Sequence, residues 1–299
     1  MIARKYLYLI ALAREKHFGR AAVSCHVSPS TLSAAIRDIE TELGVAVVER
    51  GQQFQGLTPE GRCVVEYAER IAASVTGLKQ ELACLQDRLS GRLRIGVIPT
   101  ALTAVAALSA AVARRHPMVR LQIVSLATGD ILAQLRHYEL DAGVVYLRSA
   151  DEADLDVVRV WQEEHVLLTA TGALEGRDEI SWREAAGLNL CLLTPDMQNR
   201  RTIDETFAAL GCAPLPSLET NSIISLLAHV CSGGWSSIVP RSVLEMIGTP
   251  QGVTVLRLVE PSLNWATGVV TLRRDPPSPL VSAVRAIAAG LTSSFGNGE

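Results

Sequence analysis

FGRAAVSCHVSPSTLSAAIRDIETELG, residues 18–44, decides how the rest of this 299-residue chain is read. Phe18 anchors a short helix over 19–25, where Ala21 and Ala22 are small enough for close packing. His26-Val27 makes a tight turn. Ser28 is a good N-cap, and Pro29 takes the first helical position, where a missing N–H costs nothing. Leu32, Ile36, Ile39 and Leu43 then recur at spacings of four, three and four, an inward stripe on a helix closed by Gly44. Upstream, Tyr6, Leu9, Ile10 and Ala13 put one apolar stripe on a helix over 4–16.

The outward face of the capped helix carries Ser30, Thr31, Ser33, Ala34, Arg37 and Asp38, side chains that are short and polar. A helix entering a DNA major groove about 12 Å wide needs such a face. Ser and Thr reach base edges or phosphates, Ala34 suits a thymine methyl, and Arg37 suits guanine or phosphate. An ordinary solvated face is the plain alternative. The succession of helix, short helix, tight turn and capped helix favours a helix-turn-helix. Val45 to Glu49 alternates like a strand, and Gly51-Gln52-Gln53-Phe54-Gln55-Gly56 returns through Leu57-Thr58 as a hairpin wing. The expected DNA contacts are Ser28, Ser30, Thr31, Ser33, Ala34, Arg37, Arg50, Gln52, Gln53 and Thr58.

Phe18-x-x-Ala21-Ala22, Val27-Ser28, Leu32-Ser33-x-x-Ile36-x-x-Ile39-Glu40-x-x-Leu43-Gly44, Arg50 and Leu57-Thr58-Pro59-Glu60-Gly61 resemble the LysR-type transcriptional regulators. Two features depart from that pattern. Ser28-Pro29-Ser30 replaces the family's frequent Ser-Gln-Pro, so no operator preference carries over. Val47-Val48 replaces its usual Leu-Phe with a smaller apolar pair. The resemblance implies a winged helix-turn-helix over 1–58, a long linker helix over 59–90, and a periplasmic-binding-protein-like α/β effector domain over 91–299. It divides that domain into lobe I, about 91–161 plus 267–299, and lobe II, about 162–266. It further implies a homotetramer, a dimer of dimers on a pseudo-palindromic promoter site, with RNA polymerase as a further partner.

The linker pattern stands on its own residues. Val64, Ala68, Ile71, Val75, Leu78, Leu82, Leu85 and Leu89 alternate spacings of four and three, a heptad seam that favours pairing with a second copy. Such pairing sets two recognition helices on one site. Beyond Gly91 strands and helices alternate, as in a parallel α/β sheet with crossover helices. Strands are expected at 93–98, 121–126, 142–146, 166–169, 189–193, 235–239 and 267–272. Small ligands bind such sheets where strands end and helices begin. Pro99, Thr100, Ala101, Thr128, Gly129, Val145, Tyr146, Thr194, Asn199 and Arg200 are therefore the expected effector contacts, in part from the resemblance. Hydroxyls, amides and helix N-termini favour a small anion, with a carboxylate preferred. A lone Thr is as readily a helix cap.

Composition narrows the classes. The chain is 48% apolar and 20% charged, as in a globular protein. There are 11 Lys/Arg against 10 Asp/Glu up to residue 90, and 17 against 21 after it, so only the front is basic. Arg4-Lys5 and the apolar run to Ala13 imitate a signal peptide, but the pattern continues into an amphipathic helix, and a cytoplasmic protein is expected. The six cysteines, Cys25, Cys63, Cys84, Cys191, Cys212 and Cys231, form no C-x-x-C pair. They read as inert thiols, with a redox pair among the last three as the alternative. No dinucleotide, P-loop, zincin or nucleophile-elbow motif occurs, so no metal, cofactor or catalytic residue is assigned. An α/β enzyme carrying a DNA-binding head remains the rival class, with His165 and His229 read as isolated side chains. Sensing accounts for the acidic two-thirds better than a purely architectural role.

Overall fold

The computed structural model describes residues 4–49, 54–85, 89–147, 153–174 and 176–295. The chain divides into two compact units, 1–88 and 89–299. In the first, α1 (Arg4–Glu15), α2 (Phe18–Ser24) and α3 (Pro29–Leu43) enclose Leu9, Leu12, Ala21, Ala22, Leu32, Ile36 and Ile39. The turn works as the residues dictate. Ser28 Oγ accepts from the Thr31 N–H at 3.1 Å, and Gly44 caps α3 at φ 68°, a conformation open to glycine. Leu43, expected inward, is 42% exposed, because the last turn of α3 runs past the core.

Helix α4 (Pro59–Cys84) is capped by Thr58, whose Oγ1 accepts from the Gly61 N–H at 2.9 Å and donates to the Ala46 carbonyl at 2.6 Å. It ends with Leu85 as C-cap, short of the expected residue 90. Leu89 packs on the core of the second unit instead, so the heptad stripe stops at Leu85. Buried Glu69 of α4 meets Arg14 of α1 at 3.7 Å.

The second unit contains β1 (Gly91–Val97), a 3-10 turn (Pro99–Ala101), α5 (Val105–Arg115), β2 (Val119–Ser125), α6 (Thr128–Arg136) and β3 (Ala142–Tyr146). There follow β4 (Leu155–Ala170), β5 (Glu179–Ser181), α7 (Trp182–Ala185), β6 (Cys191–Leu193), α8 (Gln198–Ala209) and β7 (Leu218–Thr220). The unit closes with α9 (Ile223–Cys231), β8 (Ser237–Pro240), α10 (Arg241–Ile247), β9 (Val253–Val259), β10 (Asn264–Leu272) and α11 (Pro279–Phe295). The parallel series expected after Gly91 is present, and the late strand returns to it to make the sheet mixed. β1 is parallel to β2 and β3, but β10 runs antiparallel to both β3 and β4. The late strand returns from the other lobe and so enters against the direction of β3.

One strand runs through both lobes. β4 pairs with β10 from Leu155 to Glu164, then changes partners to β8 and β9 from His165 to Ala170. The first stretch belongs to a core with Leu93, Ile95, Val144 and Val269, on which Leu280 and Val284 of α11 also pack. In the second, Val166 and Leu168 enter one core while Leu167 enters another, since successive strand residues face opposite sides. That two-sided burial is why this stretch reads as an unbroken apolar run.

Candidate functional site

Three surfaces carry the residues singled out in the sequence. On α3, Ser28, Ser30, Thr31, Ala34 and Arg37 are exposed and Ser33 is half-buried. Ser28 Oγ lies 2.7 Å from Ser30 Oγ and 2.8 Å from Thr31 Oγ1, so these hydroxyls first satisfy the helix start. The hydroxyl of Thr58 is consumed in the same way by the α4 cap, and a DNA role for that side chain is not retained. Arg50, Gln52 and Gln53 lie outside the described residues. The segments flanking them pair through an isolated antiparallel bridge between Val48 and Leu57, with the Glu49 N–H donating to the Gly56 carbonyl at 3.0 Å. Glu40, quoted in sequence only as a motif position, accepts from the Val47 N–H at 2.8 Å and ties this segment to α3. Arg37→Ala is expected to weaken operator binding by roughly 1–3 kcal/mol and to relax specificity at one position. Competition footprinting on a site and its single-base variants checks this.

The α4 stripe is divided in its role. Ala68 is buried and Val64 packs against the core of its own unit, whereas Ile71, Leu78, Leu82 and Leu85 are between 49% and 78% exposed. Val75 is half-buried. Tyr67, off the heptad positions and so unremarked in sequence, is also exposed. With Tyr6, Leu43, Cys63 and Ile71 it lines an apolar groove of about 380 Å³.

In the second unit the chemistry gathers where β4 changes partners. The Tyr146 hydroxyl, at the end of β3, donates to Glu163 Oε2 at 3.1 Å and lies 2.9 Å from Thr100 Oγ1. From α8, Asn199 Nδ2 stands 3.4 Å from that hydroxyl and 2.9 Å from His165 Nε2. Glu163 also accepts from Trp161 Nε1 at 3.1 Å and from Ser242 Oγ at 3.0 Å. The His165 ring lies over Trp265, centroids 3.8 Å apart. Thr100, Tyr146, Glu163, His165 and Asn199 are all buried. Burial disfavours charge here, so the Glu163 carboxyl is raised above the usual carboxylate range and His165 is brought down to about 3, a neutral imidazole. The Tyr146 phenol is raised well above its ordinary value, first by burial and then by the nearby carboxylate. His165 is therefore not the isolated side chain expected from sequence. Two residues apart on one strand, Glu163 and His165 share a face, but nothing local announces Tyr146 or Asn199 as their partners.

The remaining expected effector residues scatter. Ala101 and Val145 are core residues. Pro99 and Thr194 are half-buried, and Gly129 is exposed. Arg200 is corrected from ligand contact to internal brace. Its guanidinium donates to the Leu193 carbonyl at 2.8 Å, to Glu219 at 2.6 Å and to Asp204 at 2.8 Å, so its charge is committed within lobe II. Thr128 Oγ1 is buried without a protein partner among the described residues. The N-cap positions of α6 and α8, Ala127 and Met197, supply no capping side chain, so both helix starts keep backbone donors unspent by side chains. Of the cysteines, Cys191 is fully buried and desolvation raises its thiol, while Cys231 is exposed and Cys212 half-buried.

Among the described residues no helix is long and apolar enough to cross a membrane, and no cluster of three potential metal ligands occurs. Known proteins place the chain directly. The family model "LysR substrate binding domain" matches residues 86–291, and "Bacterial regulatory helix-turn-helix protein, lysR family" matches residues 3–62. A hydrogen peroxide-inducible genes activator of Pectobacterium carotovorum is 32% identical over 281 residues, 94% of this chain and 92% of that protein. The DNA-binding transcriptional dual regulator OxyR of Escherichia coli K12 is 28% identical over 294 residues, 97% of this chain and 95% of its own. A full-length OxyR cysteine-to-aspartate variant from Pseudomonas aeruginosa superposes with a TM-score of 0.76 at 25% identity, covering 97% of this chain and 94% of that one. The LysR-family regulator CbnR in complex with its target DNA shares the fold, with a TM-score of 0.67 at 19% identity over 98% of this chain and all of that one. The chain belongs to the LysR family, and it is a DNA-binding transcriptional regulator rather than an enzyme.

Proposed function

We propose that this regulator is switched by a small molecule bound between its two α/β lobes, and that the Tyr146 hydroxyl is the switch contact. One observation carries the reading: that hydroxyl touches Thr100 of lobe I, Glu163 on the connecting strand and Asn199 of lobe II at once. A ligand that alters this junction has a different affinity for each lobe arrangement, and it shifts their populations by no more than that difference. The uncapped starts of α6 and α8 favour an anionic group on the ligand, a carboxylate above others. The active species is a dimer of dimers in the cytoplasm. It pairs through the exposed α4 stripe, reads a pseudo-palindromic promoter site and engages RNA polymerase there.

A second reading has its own support, since several relatives are named for induction by hydrogen peroxide. A peroxide-sensing thiol is typically exposed and held at a lowered pKa, and Cys191, buried with its thiol raised, has neither property. The test is a footprint of the full chain on its neighbouring promoter. Asn199→Leu is expected to change the protected length by a helical turn or more while affinity stays within about threefold. An unchanged footprint defeats the junction reading. A footprint that instead changes on peroxide treatment, and no longer does so in a Cys191→Ser/Cys212→Ser/Cys231→Ser triple variant, establishes the redox reading in its place.

A further inference from the structure

The α/β domain is acidic as a whole, but its charge is unevenly placed. Residues 91–147 carry 6 arginines against 3 acids, while the rest of the chain after residue 90 carries 11 arginines against 18 acids. Several arginines of lobe I are already committed. Arg94 is spent on Asp141, Arg136 on Asp154, and Arg273 and Arg285 both on Asp156. Arg274 lies over the Tyr138 ring, 4.5 Å from its centroid. Arg92, Arg114, Arg115 and Arg120 are different: all four are exposed, and among the described residues none of them meets a carboxylate.

The fold gathers these four at one end of the sheet. Arg92 and Arg120 are register partners on the parallel strands β1 and β2, so they leave the same face on strands about 4.8 Å apart. Arg114 and Arg115 close α5, and the chain enters β2 through a turn in which the Val119 N–H donates to the His116 carbonyl at 3.0 Å. Cations suit a helix C-terminus, which accounts for Arg114 and Arg115. It does not account for Arg92 and Arg120, since like charges side by side on neighbouring strands repel. Two residues along β1, Asp141 neutralises Arg94 at 3.0 Å, and no such partner serves the pair. We infer that this arginine rim binds the phosphate backbone of promoter DNA, outside the segment that α3 reads. Duplex DNA is the polyanion that a regulator of this family engages, and the arginine fork matches phosphate. Arg92 directly follows Gly91, the first residue of β1, so the rim lies at the end of the unit where the chain enters it. The competing occupant is lobe II of a second copy, with 12 acids against 6 arginines over 162–266. Much of that charge is already spent, because Glu164, Glu179, Glu184, Asp204 and Glu219 hold arginines of their own lobe.

The rim stands apart from the junction reading and is tested without an effector. Binding of the full chain to its neighbouring promoter is measured over a series of salt concentrations. In Arg92→Gln/Arg120→Gln the slope of log affinity against log salt is expected to become shallower by about 1–2, since each phosphate contact contributes about 0.9. Affinity at low salt is expected to fall by about fivefold or more. Arg92→Lys/Arg120→Lys keeps both charges and is expected to keep the slope. Arg183→Gln/Arg201→Gln removes two exposed charges from lobe II and is expected to bind like the parent. All the substituted positions are exposed, so each variant should melt within a few degrees of the parent. An unchanged slope in Arg92→Gln/Arg120→Gln overturns the assignment, and so does an equal change in the lobe II control. Sedimentation without DNA covers the competing occupant: if Arg92→Gln/Arg120→Gln forms a smaller assembly than the parent, the rim meets a second copy and the DNA assignment falls.

Discussion

Gly61→Ala is expected to destabilise the DNA-binding unit by about 3 kcal/mol and to remove operator binding at growth temperature. A Cβ at this position would stand 1.9 Å from the Val47 carbonyl oxygen and 2.8 Å from its carbonyl carbon. The obstruction is backbone, so no rotamer change relieves it. The carbonyl it meets also accepts the Thr58 N–H at 3.2 Å, and Val47 itself is fully buried. Relief therefore requires moving α4 away from the base of the hairpin, at the expense of the Thr58 cap and the Glu40 bond. A loss of this size is a large part of the 5–15 kcal/mol that holds a typical domain together. The measurement is calorimetric melting of the full chain beside a gel-shift titration. The transition of the N-terminal unit should fall by more than ten degrees while that of the α/β unit stays in place. A melting profile identical to the parent would show that α4 can retreat at no cost.

Trp182→Ala is expected to cost the α/β unit about 3–5 kcal/mol. Trp182 is 1% exposed, packs edge to face on Phe207 at 5.3 Å and donates its Nε1–H to the Pro261 carbonyl at 3.0 Å. Truncation leaves a cavity between α7, α8 and the segment entering β10, and it strands the Pro261 acceptor. Because Phe207 lies on α8, the helix that delivers Asn199 to the junction loses support as well. Two readouts separate these effects. The melting transition of the α/β unit should drop by roughly 6–20 °C, given about 2–4 °C per kcal/mol for a unit of this size. At a temperature where the variant remains folded, its promoter footprint should be less sharply defined than the parent's. Trp182→Phe keeps much of the volume and is expected to lose less than half as much.

The helix-turn-helix was legible because its determinants are local. Ser28, Pro29 and Gly44 act within a turn or two of chain, and the inward stripe of Leu32, Ile36 and Ile39 follows from helical periodicity alone. The exposed part of the α4 seam was legible for the same reason. Periodicity, however, cannot say where a helix yields its apolar side chains to another unit, and Leu89 went to the α/β core. The parallel pairing of β1, β2 and β3 was legible too, but not the direction of β10, which depends on which lobe the chain returns from and which no residue in Asn264–Leu272 encodes.

The amino-acid sequence by itself determined the family, the recognition helix and the order of elements, all of which depend on contacts a few residues apart or on spacing along one helix. Only the tertiary structure decided where the residues expected to contact an effector come to lie. Thr100, Tyr146, Glu163, His165 and Asn199 meet because β4 changes partners between Glu164 and His165, where the two lobes share a strand. The same packing turned Arg200 inward to Asp204 and Glu219. Residues nearly a hundred positions apart are joined by sheet register, and register is settled by the whole fold, where one core must exclude water from both faces of a shared strand at once.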